Sequence, residues 1–280
     1  MDIKATEVKR LREKTGAGML DCKNALVKAN GDFDHAERLL KEQGLAAAVK
    51  KSERVTNSGM IFSKITPNKG IMLELTCETD FVARNSLFKE LGTALVEKVA
   101  EQKLTEPSEE LQTMVKETVG KIKENMQLRR IVTIPVEPGE SLVEYVHDGR
   151  IGVMVRFSFS DPKVMDNAKV KQVLFECALH AAAFAPLFLS KDRVSPAFLK
   201  EQEEIFAKQA ENLKKPANVL QGIIKGKLNK MLAEICFLEQ PFVKDDKRSV
   251  AKVLEDLGKE TGAKITIVDY RYVKLGEDHS

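Results

Sequence analysis

The chain has 280 residues, 43% of them hydrophobic and 31% charged, with a net charge of +3; this is the profile of a globular protein with room for more than one core, and it excludes disordered, collagen-like and disulfide-scaffold classes. No apolar run approaches the roughly 20 residues needed to cross a bilayer, and Met1-Asp2-Ile3-Lys4 has neither the basic nor the apolar region of a secretory signal, so a cytoplasmic location with no membrane partner is expected. The excess charge sits at the start: residues 1–54 hold 12 basic and 9 acidic side chains and the rest is balanced, which argues against a phosphate-neutralising stripe and hence against direct nucleic-acid binding.

Residues 1–54 read as a small three-helix module. Ala5, Val8 and Leu11 recur every third residue, then Gly16 and Gly18 break the pattern. Met19, Cys22, Leu26 and Ala29 mark a second helix that Asn30-Gly31 stops. Asp32 is placed to cap a third, with Phe33, Ala36 and Leu40 inward, ending at Gly44. Ala46-Ala47-Ala48-Val49, with Lys50, Lys51 and Arg54, then reads as a solvated tether.

From Gly59 the period changes to two. Ile61, Ser63 and Ile65 alternate with Phe62 and Lys64, Asn68-Lys69-Gly70 offers a hairpin turn, and residues 71–75 return as an apolar strand. Thr76-Cys77-Glu78-Thr79-Asp80-Phe81-Val82-Ala83-Arg84-Asn85 follows, ahead of a helix in which Leu87, Leu91 and Leu95 repeat at four-residue spacing. An acid and an aromatic ring therefore sit at a strand-to-helix corner. Local chemistry allows a plain use for them: Thr79 or Asp80 caps the helix while Phe81 folds into the core. A helix over residues 109–125 and a strand over 129–136 complete the first body, residues 55–140.

The same order then recurs in residues 141–280. Residues 142–146 and 151–157 form a second hairpin through His147-Asp148-Gly149, residues 170–184 supply its helix, and 263–270 its late strand. The fold class expected is α+β: an N-terminal helical module, then two related subdomains with antiparallel sheets covered by helices. The second copy carries an insertion at about 195–237. Ser195-Pro196 opens a helix in which Leu199, Phe206 and Leu213 repeat at seven, Lys215-Pro216 turns the chain, and Leu220, Ile224, Leu228, Met231 and Ile235 line a return helix. Such a helical hairpin serves equally as a cover for the sheet or as an assembly surface.

Chemistry-bearing constellations are scarce. Cys22, Cys77, Cys177 and Cys236 lie far apart, Cys177 and His180 share a helix face without further ligands, and neither a metal nor a cofactor is expected. The Gly222-Ile223-Ile224-Lys225-Gly226-Lys227-Leu228 run falls one residue short of a phosphate loop and has Leu228 where Ser or Thr belongs, so its glycines read as close-packing positions. Adjacent acid pairs such as Glu203-Glu204 cannot face each other on a helix. No catalytic residue set emerges, and an enzyme is not expected.

Thr79-Asp80-Phe81-Val82-Ala83 resembles a signature of the elongation factor Ts family, the nucleotide exchange factors of the translational GTPase elongation factor Tu. Residues 11–23, Leu-Arg-Glu-Lys-Thr-Gly-Ala-Gly-Met-Leu-Asp-Cys-Lys, resemble a second, and residues 124–130, 145–152 and 240–243 add to the likeness, which runs from about Ile3 to Tyr272. The resemblance implies a ubiquitin-associated-like fold for the N-terminal module, elongation factor Tu as partner in its GDP-bound and nucleotide-free states, and assembly up to a dimer of heterodimers. It implies that Asp80, Phe81, Val82 and Ala83 dislodge the partner's Mg²⁺. It makes Arg12, Met19, Leu20, Lys23 and His147 partner contacts, although Met19 and Leu20 also fit a helix core, Arg12 and Lys23 also fit a solvated surface, and His147 also fits a plain turn. Many members have a C-terminal helical module, whereas only seven residues follow Val273 here.

Overall fold

The computed structural model describes residues 3–102, 104–211 and 216–277. They divide into two compact units, one made of residues 3–133, 148–151 and 273–277, the other of 134–147 and 152–272.

In the first unit, α1 (Ala5–Thr15), α2 (Met19–Lys28) and α3 (Phe33–Lys51) bury Val8, Leu11, Cys22, Ala25, Leu26, Ala36 and Leu40 against one another. Gly16 closes α1 in the left-handed region at φ 69°, its N–H reaching Arg12 O, a backbone state that costs glycine least. Asp32 caps α3 by accepting the His35 N–H at 2.9 Å. The stretch expected as a tether is helix: α3 runs through Gly44 and on past residues 46–49, three of which are alanine, the best helix former. Two side effects of packing hold it there. Ala48 joins the core of the first sheet, and Gly44 lies against a later helix.

The first sheet pairs β1 (Ser58–Thr66) antiparallel with β2 (Lys69–Cys77), in a register from Ser58 opposite Cys77 to Thr66 opposite Lys69. Lys69 and Gly70 are therefore strand, and the turn is Pro67-Asn68, with proline presetting φ at the first central position. After β2 come the single turn α4 (Asp80–Ala83), α5 (Ser86–Gln102), α6 (Glu109–Ile122) and β3 (Met126–Pro135), which adds to the sheet beside β2. Ile71, Leu73 and Leu75 of β2 pack against Phe88, Leu91, Leu95, Leu111, Val115 and Val119 of the two long helices. Phe62 lies across α5 at Gly92, where a β-carbon would stand 2.1 Å from its ring. The opposite face of β2 is also buried and holds a carboxylate, Glu74, which accepts the Gly276 N–H at 2.8 Å and faces Arg130 Nε at 2.6 Å.

The second unit repeats the plan. β4 (Glu140–His147) turns through Asp148 and Gly149, at φ 49° and 68°, into β5 (Ile151–Phe159), and α7 (Ala168–Phe184) follows. Next stand α8 (Pro196–Glu211) and α9 (Ala217–Ile235), then β6 (Pro241–Phe242), β7 (Asp245–Ser249), α10 (Val250–Thr261) and β8 (Ile265–Lys274). The strand order β4-β5-β8 matches β1-β2-β3, each with its late strand beside the second strand. The β6–β7 pair and α10 are additions that the expected pattern lacked. α8 and α9 pack chiefly on each other, and no residue of α9 is fully buried. Their seam is half-buried along Phe198, Leu199, Phe206, Leu228 and Met231; Leu213 and Lys215 lie outside the described residues. Gly222 and Gly226 are not close-packed: a β-carbon on either would meet nothing within 4 Å, because both sit on the open side of α9.

All four cysteines are buried and unpaired, and burial pushes the Cys77 thiol up to about 12 and Cys236 up to about 11. Among the described residues no group of three ligands could hold a metal ion, and no helix is long and apolar enough to cross a membrane.

Candidate partner-binding site

The corner after β2 separates its residues by burial. Thr79 has extended backbone, φ −125° and ψ 157°, and its Oγ1 accepts the Val82 N–H at 3.4 Å, which caps α4. Val82 and Ala83, 8% and 6% exposed, belong to the core beneath. Phe81 points the other way and is 82% exposed. The capping half of the plain local reading holds, and the buried-ring half does not. A phenylalanine left in water forgoes about 1.5–3 kcal/mol of burial free energy, and nothing in this unit recovers it. Asp80 stands beside the ring, in an exposed ion pair with Arg84 at 3.3 Å that solvent screens.

One turn of helix is a poor structure on its own, because its dihedrals are fixed for a single closing hydrogen bond. Here it is fastened from the α6–β3 turn. Glu124 accepts the Thr79 N–H at 3.1 Å and its hydroxyl at 2.9 Å, while Glu78 accepts the Asn125 N–H at 2.6 Å in the opposite direction. Asn125, itself buried, donates to the carbonyls of Ser52 and Arg54 at 3.3 and 2.7 Å. Cys77 Sγ donates to Thr79 O at 3.1 Å. Glu124 was not among the candidate residues; its only sequence signal is its position at the start of the 124–130 stretch.

A second exposed apolar group lies at the start of α2. Met19 and Leu20 are 45% and 69% exposed, so they are not core; Cys22, Ala25 and Leu26 fill that role. Lys23 and Arg12 are exposed, and Val27 continues the Leu20 and Lys23 face at helical spacing. Sequence reasoning missed Val27, although its i+7 relation to Leu20 was the available signal.

In the second unit His147 ends β4, exposed, with Nδ1 2.9 Å from the Tyr145 hydroxyl. Phe175 packs edge-on against Tyr145, with ring centroids 5.8 Å apart.

Comparison with known proteins decides what these features belong to. The profile of the family described as "Elongation factor TS" matches residues 78–277, which contain the α4 corner, the Glu124 turn and His147. The chain belongs to the elongation factor Ts family. Proteins named elongation factor Ts are similar over nearly all of it: one from Treponema denticola is 45% identical over 277 residues, covering 99% of each chain. One from Borrelia garinii is 41% identical over 276 residues, 98% of this chain and 99% of its own, and one from Borrelia hermsii is 40% identical over 278 residues, 99% and 100%. Those alignments extend the elongation factor Ts likeness across the N-terminal helices, which the family profile does not reach. As a member of the elongation factor Ts family the chain is a factor of translation elongation.

Proposed function

We propose that this protein is the guanine nucleotide exchange factor for elongation factor Tu: it binds the GDP-loaded GTPase, disturbs the Mg²⁺ and phosphate site, and releases GDP so that GTP can reload. The observation that carries this reading is the outward Phe81 beside Asp80, on a turn whose next two residues are anchored in the core. An exposed ring on a rigid mount is costly to keep unless a partner covers it.

The nucleotide in such a GTPase is held through backbone donors, a lysine and a metal bridging protein to phosphate. Accelerating its release by about 10⁴ requires the barrier to release to fall by about 5.5 kcal/mol, through contacts that strengthen as the nucleotide site opens. Burying the Phe81 ring supplies about 1.5–3 kcal/mol of that. The remainder comes from the Asp80 charge near the metal and from interface formed only in the released state. Val82 and Ala83 act as the footing that keeps the wedge from folding back. Arg12, Met19, Leu20 and Lys23 dock the N-terminal helices on the partner, and His147 makes a further contact. Linkage makes the effect reciprocal, so incoming nucleotide expels the factor.

The test is release of labelled GDP from elongation factor Tu with and without this protein at fixed Mg²⁺. Acceleration at substoichiometric factor supports the reading. Release at the intrinsic rate with excess factor sinks it.

A further inference from the structure

We propose that Glu124 is a positioning residue for exchange, holding the Asp80 and Phe81 turn in its productive orientation through Thr79; the proposal rests on the exchange reading above. Phe81 is surrounded by solvent, so only the backbone of α4 aims it, and α4 is four residues long. What holds the first residue of that turn therefore sets where the ring points.

Every polar atom of Thr79 is engaged. Its N–H goes to Glu124 Oε2 at 3.1 Å, its hydroxyl faces both carboxylate oxygens at 2.9 and 3.1 Å, and its carbonyl accepts from Ala83 N at 3.2 Å and from Cys77 Sγ at 3.1 Å. A threonine hydroxyl has one hydrogen, and an ionised carboxylate only accepts. Glu124 therefore draws that hydrogen to itself and turns the lone pairs of Thr79 Oγ1 toward the Val82 N–H, the bond that starts α4. A carboxylate does this better than an amide because it offers two acceptor oxygens and a charge-assisted bond.

Glu124 is itself held. Lys123 closes α6 in the left-handed region at φ 71°, with its N–H on Val119 O at 2.8 Å, and its carbonyl takes the Lys51 ammonium. Asn125 is tied to Glu78, Ser52 and Arg54. The same three-residue turn thus joins the end of α3, which carries the docking helices, to the turn that carries the wedge. Removing the carboxylate leaves Val82 and Ala83 buried, so the unit keeps its fold while α4 loses its clamp. The cost falls on preorganisation of the wedge, where small misplacements are expensive.

The experiment measures GDP release from elongation factor Tu as a function of factor concentration, using the full chain, with melting temperature recorded for each variant. Glu124→Ala, the near-isosteric Glu124→Gln and Thr79→Val are each expected to lower the maximal release rate, by about tenfold for Glu124→Ala on the scale of lost positioning. The half-saturating concentration and melting temperature should change little, and Thr79→Ser, which keeps both donors, should restore the wild-type rate. In a Phe81→Ala background Glu124→Ala should cost much less than in the wild type, because the ring it aims is gone and only Asp80 remains on the turn to be misplaced. A wild-type maximal rate in Glu124→Gln and Thr79→Val while Phe81→Ala is slow overturns the proposal and leaves the wedge standing. Equal losses in the two backgrounds overturn it as well. Phe81→Ala that releases GDP at the wild-type rate removes the wedge reading itself, and this proposal with it. If Glu124→Ala does not fold, the Gln and Val variants carry the same comparison.

Discussion

Gly120 of α6 meets Gly44 of α3 backbone to backbone: a β-carbon on Gly120 would stand 2.8 Å from the Gly44 Cα. That contact fixes how the N-terminal helices are carried, since α3 is one continuous helix from the core of the three N-terminal helices into the packing of the first sheet. Gly120→Ala should lower stability by about 1–3 kcal/mol through overpacking, even after alanine's better helix propensity is counted. Gly226→Ala is the control. It lies mid-helix with open space beside it, so the same substitution should raise stability by roughly 0.5–1 kcal/mol. Chemical denaturation of both variants checks the pair, and equal shifts in one direction would contradict the geometry.

Docking through α2 predicts a separation of affinity from stability. Leu20 is 69% exposed and Met19 45%, so replacing both with serine should leave melting within the small range usual for surface changes, about ±0.5 kcal/mol each. The same double variant should raise the concentration of factor needed for half-maximal GDP release from elongation factor Tu, with the maximal rate approached at high concentration. Unchanged half-saturation would assign the patch to another use.

Much of this could be read from the residues. Periodicity located the strands of the two three-stranded sheets and the helices that cover them within a few positions, because Leu87, Leu91 and Leu95, or Ile61 and its alternating neighbours, report one buried face directly, while β6, β7 and α10 went unread. The end of α3 could not be read that way. Alanine, lysine and glycine are ambiguous between helix and linker, and what settles them is a surface on α6 some seventy residues away. The division of the α4 corner into outward Asp80 and Phe81 and inward Val82 and Ala83 was equally hidden, since four residues are too few for a period. Glu124 illustrates a third limit: a carboxylate that clamps a turn 45 positions distant has no local pattern at all.

His180 gives a pH prediction. It is fully buried, stacked against Phe184, Phe237 and Phe242 at 4.7, 5.6 and 6.0 Å, with Nε2 2.9 Å from Gln240 Oε1 and Nδ1 accepting the Val243 N–H at 3.2 Å. Two donors cannot share the Nδ1 position, so this arrangement needs the neutral ring. Burial lowers the His180 pKa, with the Gln240 bond opposing in part. The unfolded chain therefore binds a proton more readily than the native one. The contribution is complete above the ordinary histidine range and is lost as pH falls below it, toward the lowered native value. Wild type should lose more stability between pH 7.5 and 5.5 than His180→Gln, which has no proton to take up; parallel losses would place the acid sensitivity elsewhere.

The wedge makes the sharpest prediction, because its two readings require opposite results from one substitution. A phenylalanine buried in its own core and cut to alanine costs about 3–5 kcal/mol through lost burial and a cavity. Phe81 is 82% exposed, so Phe81→Ala should melt with the wild type. Its release of GDP from elongation factor Tu should nevertheless be much slower, and Asp80→Ala should change in the same direction, since the carboxylate stands beside the ring on the same turn. If the pair acts by displacing the partner's Mg²⁺, chelating that metal removes the contact the wedge disrupts, and the difference between wild type and variant should narrow. A difference that persists undiminished without Mg²⁺ would leave the ring pressing on the protein around the phosphates rather than on the metal. A large stability loss with normal exchange by the folded fraction would remove the wedge altogether.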